Sequence, residues 1–218
     1  MAQLFKPRSN TIARAGIACV VLAVIALGWT WNAVYWSPYT TWVKVPREQP
    51  VPFSHKHHVA GLGIDCRYCH TSVETSHYAG IPPSETCMTC HSRLWTQAAL
   101  LAPVRRSLAT GTPIRWNRVN DLPDFVYFDH SIHVNKGIGC ATCHGPVDNM
   151  PLTWKEHTLY MKWCLDCHDN PAKEIRPRDQ VFNMAYRKPA DQQQLGEELI
   201  ARYHVQVSRL EKCSVCHH

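Results

Sequence analysis

The chain has 218 residues and a formal net charge of +6, a size that suits one or two modest domains. Its eleven cysteines are too many for an ordinary cytosolic enzyme, and ten of them stand as five CxxC pairs, which argues against scattered structural thiols. The mildly basic charge singles out no partner class by itself.

Residues 15–43 carry no charge, and the stretch AGIACVVLAVIALGWTWNAVY is long enough to cross a bilayer as one helix. Lys6, Arg8 and Arg14 precede it, which by the positive-inside rule leaves residues 1–14 in the cytoplasm. Trp29, Trp31, Tyr35, Trp36, Tyr39 and Trp42 crowd its far end, as an interfacial aromatic belt does. A cleaved signal peptide and a buried core helix are the competing readings. Small residues do not occupy the paired positions a peptidase needs over 29–36, so an uncleaved transmembrane helix is expected over 15–36. Residues 37–52 read as a linker. Everything beyond then lies on the periplasmic or extracytoplasmic face of the cytoplasmic (inner) membrane.

That remainder is polar and proline-rich, without a long helical stripe or a run of alternating strands. Such a chain cannot bury enough apolar side chain to fold on hydrophobic residues alone, so another body must fill its interior. Each CxxC pair is followed at once by histidine: CRYCH, CMTCH, CATCH, CLDCH and CSVCH. This is the c-type haem attachment signature. Two thiols add to the two vinyl groups of one porphyrin, and the next residue offers an imidazole to the iron. On a helical turn, positions i, i+3 and i+4 share a face, so anchors and ligand meet one macrocycle. Zinc knuckles are the bland alternative, but five cannot pair evenly into four-cysteine sites. With 14 histidines in 218 residues, a histidine after all five pairs arises by chance roughly once in a million. Disulfides between residues three apart make no sense five times over.

The expectation is therefore five covalently bound c-type haems. They are anchored by Cys66 and Cys69, Cys87 and Cys90, Cys140 and Cys143, Cys164 and Cys167, and Cys213 and Cys216, with His70, His91, His144, His168 and His217 as proximal iron ligands. The haems replace the missing core, so the fold class is a single N-terminal transmembrane helix plus a multihaem cytochrome c domain of few short α-helices and irregular loops, with little or no β-structure. About two propionates per haem offset the positive charge, and no nucleic-acid partner is expected.

Haem iron takes a ligand on each face. Two stretches repeat, FSHKHHVAGLGIDCRYCH from Phe53 and FDHSIHVNKGIGCATCH from Phe128, each reading F-x-H-x-x-H-V, then Gly-Ile, then a motif. The histidines of each pair project from one side of a helical turn, so they cannot take opposite faces of one iron. The simplest assignment gives His55 to the first haem and His58 to the second, and by repetition His130 to the third and His133 to the fourth. His57, matched by Ile132, breaks the repeat and reads as solvent-exposed. Two modules follow: 53–127 with two haems and 128–218 with three. For the fifth haem His77, His204 and His218 are spare histidines, and Met184 in VFNMAYR is a further candidate.

This frame resembles the class III multihaem cytochromes, including their three-haem relatives. The resemblance implies that a ligand for the last haem sits just ahead of a middle motif, here at EHTLYMKWCLDCH. That points to Met161 as the distal ligand of the fifth haem, with His157 and Met184 as alternatives; methionine would raise its potential above its neighbours'. The whole chain, through its single N-terminal helix, PFSHKHHV, CRYCHTSVE, AGIPPSETCMTCH, LPDFVYFDHSIHV, WCLDCH, IRPRDQVFNMAY and the final CSVCH, resembles the pentahaem cytochrome subunit of alternative complex III, a bacterial quinol-oxidising assembly. The resemblance implies a membrane-anchored electron-transfer subunit of a respiratory or photosynthetic complex. It would sit beside an iron–sulfur subunit and integral membrane quinol-binding subunits, and pass electrons to a monohaem cytochrome or a soluble carrier. No catalytic site of its own is expected. The alternatives are a stand-alone membrane-anchored quinol dehydrogenase feeding a periplasmic reductase, and a multihaem reductase with an open iron.

Overall fold

Two units make up the chain, Met1–Val43 and Lys44–His218, and the computed structural model describes residues 5, 6 and 8–217. Residues 1–4 and 7 of the expected cytoplasmic segment, and the spare histidine His218, lie outside the described residues.

The first unit is dominated by α1 (Arg8–Trp36), 29 residues with no acidic residue in its first turn and no basic residue in its last. It starts ahead of the expected span 15–36, because nothing between Arg8 and Arg14 breaks a helix. Its most apolar window has a mean hydropathy of 2.2 and none of it is buried; α1 is long and apolar enough to cross a membrane. Ser37 ends it in an extended conformation, and Pro38 at a first helical position opens the short α2 (Pro38–Thr41), which stops at Trp42 in the left-handed region (φ 57°).

The second unit consists of short helices joined by loops, with no strand among the described residues and two isolated bridges, Val126 with His217 and Ile138 with Ile175. In chain order it holds a π-helical turn (Lys56–Gly61), α3 (Cys66–Cys69), α4 (Ser84–His91), α5 (Ala102–Thr110), α6 (His130–Asn135), α7 (Cys140–His144), α8 (Met161–His168), α9 (Gln192–Arg202) and α10 (Cys213–Cys216). Every CxxC pair lies on a helix: α3, α7 and α10 open on theirs, while α4 and α8 end on the histidine of theirs. Local chemistry sets these starts. The Asp65 carboxylate caps α3 by accepting from the Arg67 N–H, and that of Asp129 caps α6 by accepting from Ser131 and Ile132. Gly145 lets the chain leave α7 at φ 63°, and a Cβ there would run into the Glu156 side chain.

The duplicated frame explains the π turn. Twelve residues separate Phe53 from Cys66, but eleven separate Phe128 from Cys140. The second copy forms the ordinary α-turn α6; the first, with one residue more between its second histidine and its glycine, widens to a π turn, the usual way a helix takes up one inserted residue. The two copies rejoin at once. Gly63 and Gly137 both have positive φ (70° and 83°), and the next amides, of Ile64 and Ile138, donate to the carbonyls of His58 and His133.

Apolar burial is thin. One cluster joins Val73, Val134 and Val181, with Cys140 packed against it. Another joins Ile175, Leu199 and Tyr203 under α9. Val73 follows the first motif, while Val134 and Cys140 belong to the segment of the third, so the first cluster welds the two copies together.

Candidate haem-binding sites

In each copy of the frame the phenylalanine sets both histidines. Phe53 stacks on His58 (ring centres 4.4 Å apart, planes 24°) and meets His55 edge-on (4.9 Å, 87°). Phe128 stacks on His133 (4.6 Å, 22°) and meets His130 edge-on (4.8 Å, 88°). The near-identity of these values, across an α-turn and a π turn, shows that the ring geometry is held while the backbone accommodates the extra residue. The F-x-H-x-x-H spacing marks these phenylalanines, although their role as ring props emerges only from the packing.

Three of these histidines face the histidine of a motif. His58 lies 6.2 Å from His91, His130 lies 6.4 Å from His144, and His133 lies 6.3 Å from His168, all between ring centres. His55 is beside His70: burial pushes its pKa down to about 4, and the neighbouring His70 and His58 add to the shift. A metal–imidazole bond is about 2 Å, which puts the centres of two rings on opposite faces of one metal roughly 6.3 Å apart. Among the described residues, no three of His, Cys, Asp and Glu converge as a metal cage. The imidazoles come together in twos, as suits a metal whose remaining positions a macrocycle fills.

The second ring nitrogen of each imidazole is occupied, which directs the other toward a ligand. Nδ1 of His55 pairs with Thr153 Oγ1 at 3.1 Å, of His58 with the Ser54 carbonyl at 2.9 Å, of His70 with that of Gly80 at 2.7 Å, and of His91 with that of Leu94 at 3.2 Å. His130 uses the His77 carbonyl at 2.8 Å, His133 that of Asp129 at 2.6 Å, His168 that of Leu210 at 3.1 Å, and His217 that of Phe125 at 3.4 Å. His144 has Asn120 Nδ2 at 3.2 Å, while the buried Oδ1 of Asn120 has no partner. Turning that amide over lets Nδ1–H of His144 donate to Asn120 Oδ1 and gives that oxygen its partner. Iron needs neutral imidazoles. Burial keeps His144 so, pushing it down to about 4, with His130 and His70 adding to it; burial also lowers His133.

None of the eleven cysteines forms a disulfide. Burial raises Cys140 to about 11, Cys143 to about 12 and Cys167 to about 11. Thiol pairs on one helical face, each followed by an imidazole that for His91, His144 and His168 faces a second one, fit covalent c-type haem.

His217 is placed by the loop before α6. It bridges Val126, its ring centre is 5.8 Å from that of Phe125, and the Cys216 carbonyl accepts from Tyr127 N–H at 2.7 Å. Of the candidates for its second ligand, Met161 opens α8 and is exposed. His157 stacks on Trp163 (5.1 Å, 24°) and is close enough to His144 to act on it. Met184 is half-buried. His57 is exposed and its ring lies 5.4 Å from that of Trp95. Three participants carry no mark in the sequence: Thr153 behind His55, Asn120 behind His144, and Arg176, buried at 5 % exposure, with its guanidinium 3.3 Å from Thr142 Oγ1 inside the third motif.

Residues 126–218 match the family described as cytochrome c7 and related cytochrome c. Over 156 residues the chain is 29 % identical to the multiheme cytochrome c subunit of a menaquinone reductase from Nitratidesulfovibrio vulgaris, an alignment that takes in 62 % of this chain and 74 % of that protein. The matched residues 126–218 hold the third, fourth and fifth motifs together with α6. The architecture is that of a cytochrome c7-like multihaem domain preceded by one apolar helix.

Proposed function

We propose that this chain is a membrane-anchored pentahaem electron-transfer subunit of a quinol-oxidising complex. In this reading α1 is the anchor with its N-terminus in the cytoplasm, and the haem domain lies on the extracytoplasmic face. An iron–sulfur subunit and integral quinol-binding subunits supply electrons, and a monohaem cytochrome or other external acceptor receives them. The observation that carries the reading is the pairing of His58 with His91, His130 with His144 and His133 with His168 at 6.2–6.4 Å. Closed, doubly ligated iron exchanges electrons without binding a substrate.

Bound at the five motifs, the haems supply reversible one-electron chemistry. The protein's part is to hold both imidazoles of each pair neutral and fixed by their Nδ1 partners, and to keep water from their rings. Met161 is assigned across from His217, with His157 and Met184 as alternatives; His157, turned toward Trp163 and the third motif, fits less well. The module boundaries 53–127 and 128–218 belong to the same reading.

Isolation of the full chain from its native membrane in mild detergent tests it. The expected result is five covalent haems per chain and co-isolation of an iron–sulfur subunit with polytopic membrane proteins. A lone cytochrome that oxidises a quinol analogue unaided would instead support the stand-alone dehydrogenase. A second reading reverses the flow, toward quinone reduction, and is favoured by the similarity to a menaquinone reductase subunit. The direction is read by which of menaquinol oxidation or menaquinone reduction the isolated complex catalyses through the haems.

A further inference from the structure

The motifs are not arranged in space as they are in sequence. Motif 1 touches motif 2: the hydroxyl of Tyr68, inside the first, is 2.9 Å from that of Thr89, inside the second. The π turn links them again: the ring of its His58 faces His91 of motif 2, and its His58 carbonyl accepts from Ile64, just ahead of motif 1. Motif 3 does not follow from motif 2; it is built against motif 1. The Ser76 and His77 carbonyls, just past motif 1, accept from Ser131 and His130, the first residues of α6. Asn135, closing α6, donates to the Glu74 carbonyl at 2.8 Å, and Val73 packs with Val134 and Cys140. On the other side, Lys56 donates to the carbonyl of Met150, and Thr153 supports His55. Motif 3 meets motif 4 through α6, whose His130 and His133 face His144 and His168. Motif 4 meets motif 5 where the Leu210 carbonyl supports His168.

We propose that the five haem sites form a single file in the order 2–1–3–4–5, with the second and fifth motifs at its ends. The first motif is thereby internal, although it comes first in the chain. Exposure fits this order: of the ten motif cysteines, Cys90 of motif 2 and Cys213 of motif 5 are exposed, and the other eight are partly covered. The order rests on the pentahaem reading above.

Locating the irons in the haem-loaded full chain in detergent, by anomalous scattering or electron cryomicroscopy, tests the order. Each iron is assigned to its motif by its thioether bonds. The expected result is five irons, with that of motif 1 having those of motifs 2 and 3 as nearest neighbours. Five irons with that of motif 2 next to that of motif 3 would overturn the order and leave the pentahaem reading standing. Fewer than five would overturn that reading, and the order with it. Solution potentials give an independent check, because reduction of one haem disturbs its immediate neighbours most. His58→Met at motif 2 is expected to shift one further component of the redox titration, and His55→Met at motif 1 two. Equal numbers of shifted components in the two variants count against the order.

Discussion

His130 and His144 face each other with ring planes 3° from parallel, while His58 and His91, at nearly the same separation, are inclined by 63°. The counterpart of His58 in the second copy, His133, is inclined by only 22° to His168, so equivalent residues of the duplicated frame meet their motif histidines at different angles. In ferric low-spin haem the angle between axial imidazole planes sets the anisotropy of the electron paramagnetic resonance signal. Ordinary rhombic signals are expected from motif 3 and from motif 4, where His133 and His168 are inclined by 22°. A strongly anisotropic signal with a single large g value is expected from motif 2.

Asn120 is the acceptor behind His144, and its effect on the third site is electronic. Asn120→Asp offers a charged acceptor to Nδ1–H, makes the ring a stronger donor and should lower the potential of that haem. Asn120→Ala removes the acceptor from a buried N–H and should loosen iron binding by about 10- to 100-fold, as loss of such outer partners does. Redox titration separates the two, since a merely structural role for Asn120 would shift the potential in the same direction in both variants.

The five motifs could be read in the chain because their chemistry demands contiguity: two thiols and an imidazole must share one helical face. The expectation that histidines three apart serve different motifs has a counterpart in the facing of His58, His130 and His133 on motif histidines. What supports the imidazoles could not be read. Their Nδ1 partners are mostly backbone carbonyls, and those of Leu210, His77 and Phe125 lie 42, 53 and 92 residues from the rings they hold. A carbonyl leaves no trace in a sequence. The single-file order was hidden for the same reason, because it depends on which segments pack together across the duplication. The π turn was countable in advance, as twelve residues against eleven between phenylalanine and cysteine.

Asp129 joins the fold to the fourth site. Its carboxylate accepts from Ser131 N and Oγ at 2.8 and 2.6 Å, and its backbone carbonyl holds His133. Asp129→Ala should cost about 1 kcal/mol as the loss of a helix cap, and at this chain length lower the melting temperature by about 2–4 °C. The hydrogen bonds from Ser131 hold the carboxyl below its ordinary 3.8. A depressed carboxyl stabilises the folded state fully above its ordinary value and loses that contribution as pH falls through the lowered one. The wild-type minus Asp129→Ala difference should therefore be flat from pH 7 to 5 and shrink only below about 4; a difference that vanishes near pH 6 would point to a histidine instead.

Arg176 gives the third site a buried positive charge. Its guanidinium lies over the Tyr186 ring at 4.5 Å, and a Cβ on Gly139, the residue before Cys140, would fall on it. Motif 3 is preceded by glycine where motif 1 is preceded by the capping Asp65, and at Gly139 the space for a side chain is taken. Burial disfavours the charge and lowers the Arg176 pKa, yet the group stays protonated because its ordinary value is so high. A fixed cation beside the motif disfavours ferric iron, so it raises the potential of that haem. Arg176→Met should lower that component, and a tenfold shift of its equilibrium would appear as about 59 mV. Arg176→Lys keeps the charge and should hold the potential while losing the stacking on Tyr186 and some stability. If both variants moved the potential equally, packing rather than charge would be the cause. Gly139→Ala, which forces the guanidinium away without removing it, should fall between the two in potential and cost about 1–3 kcal/mol of stability through overpacking.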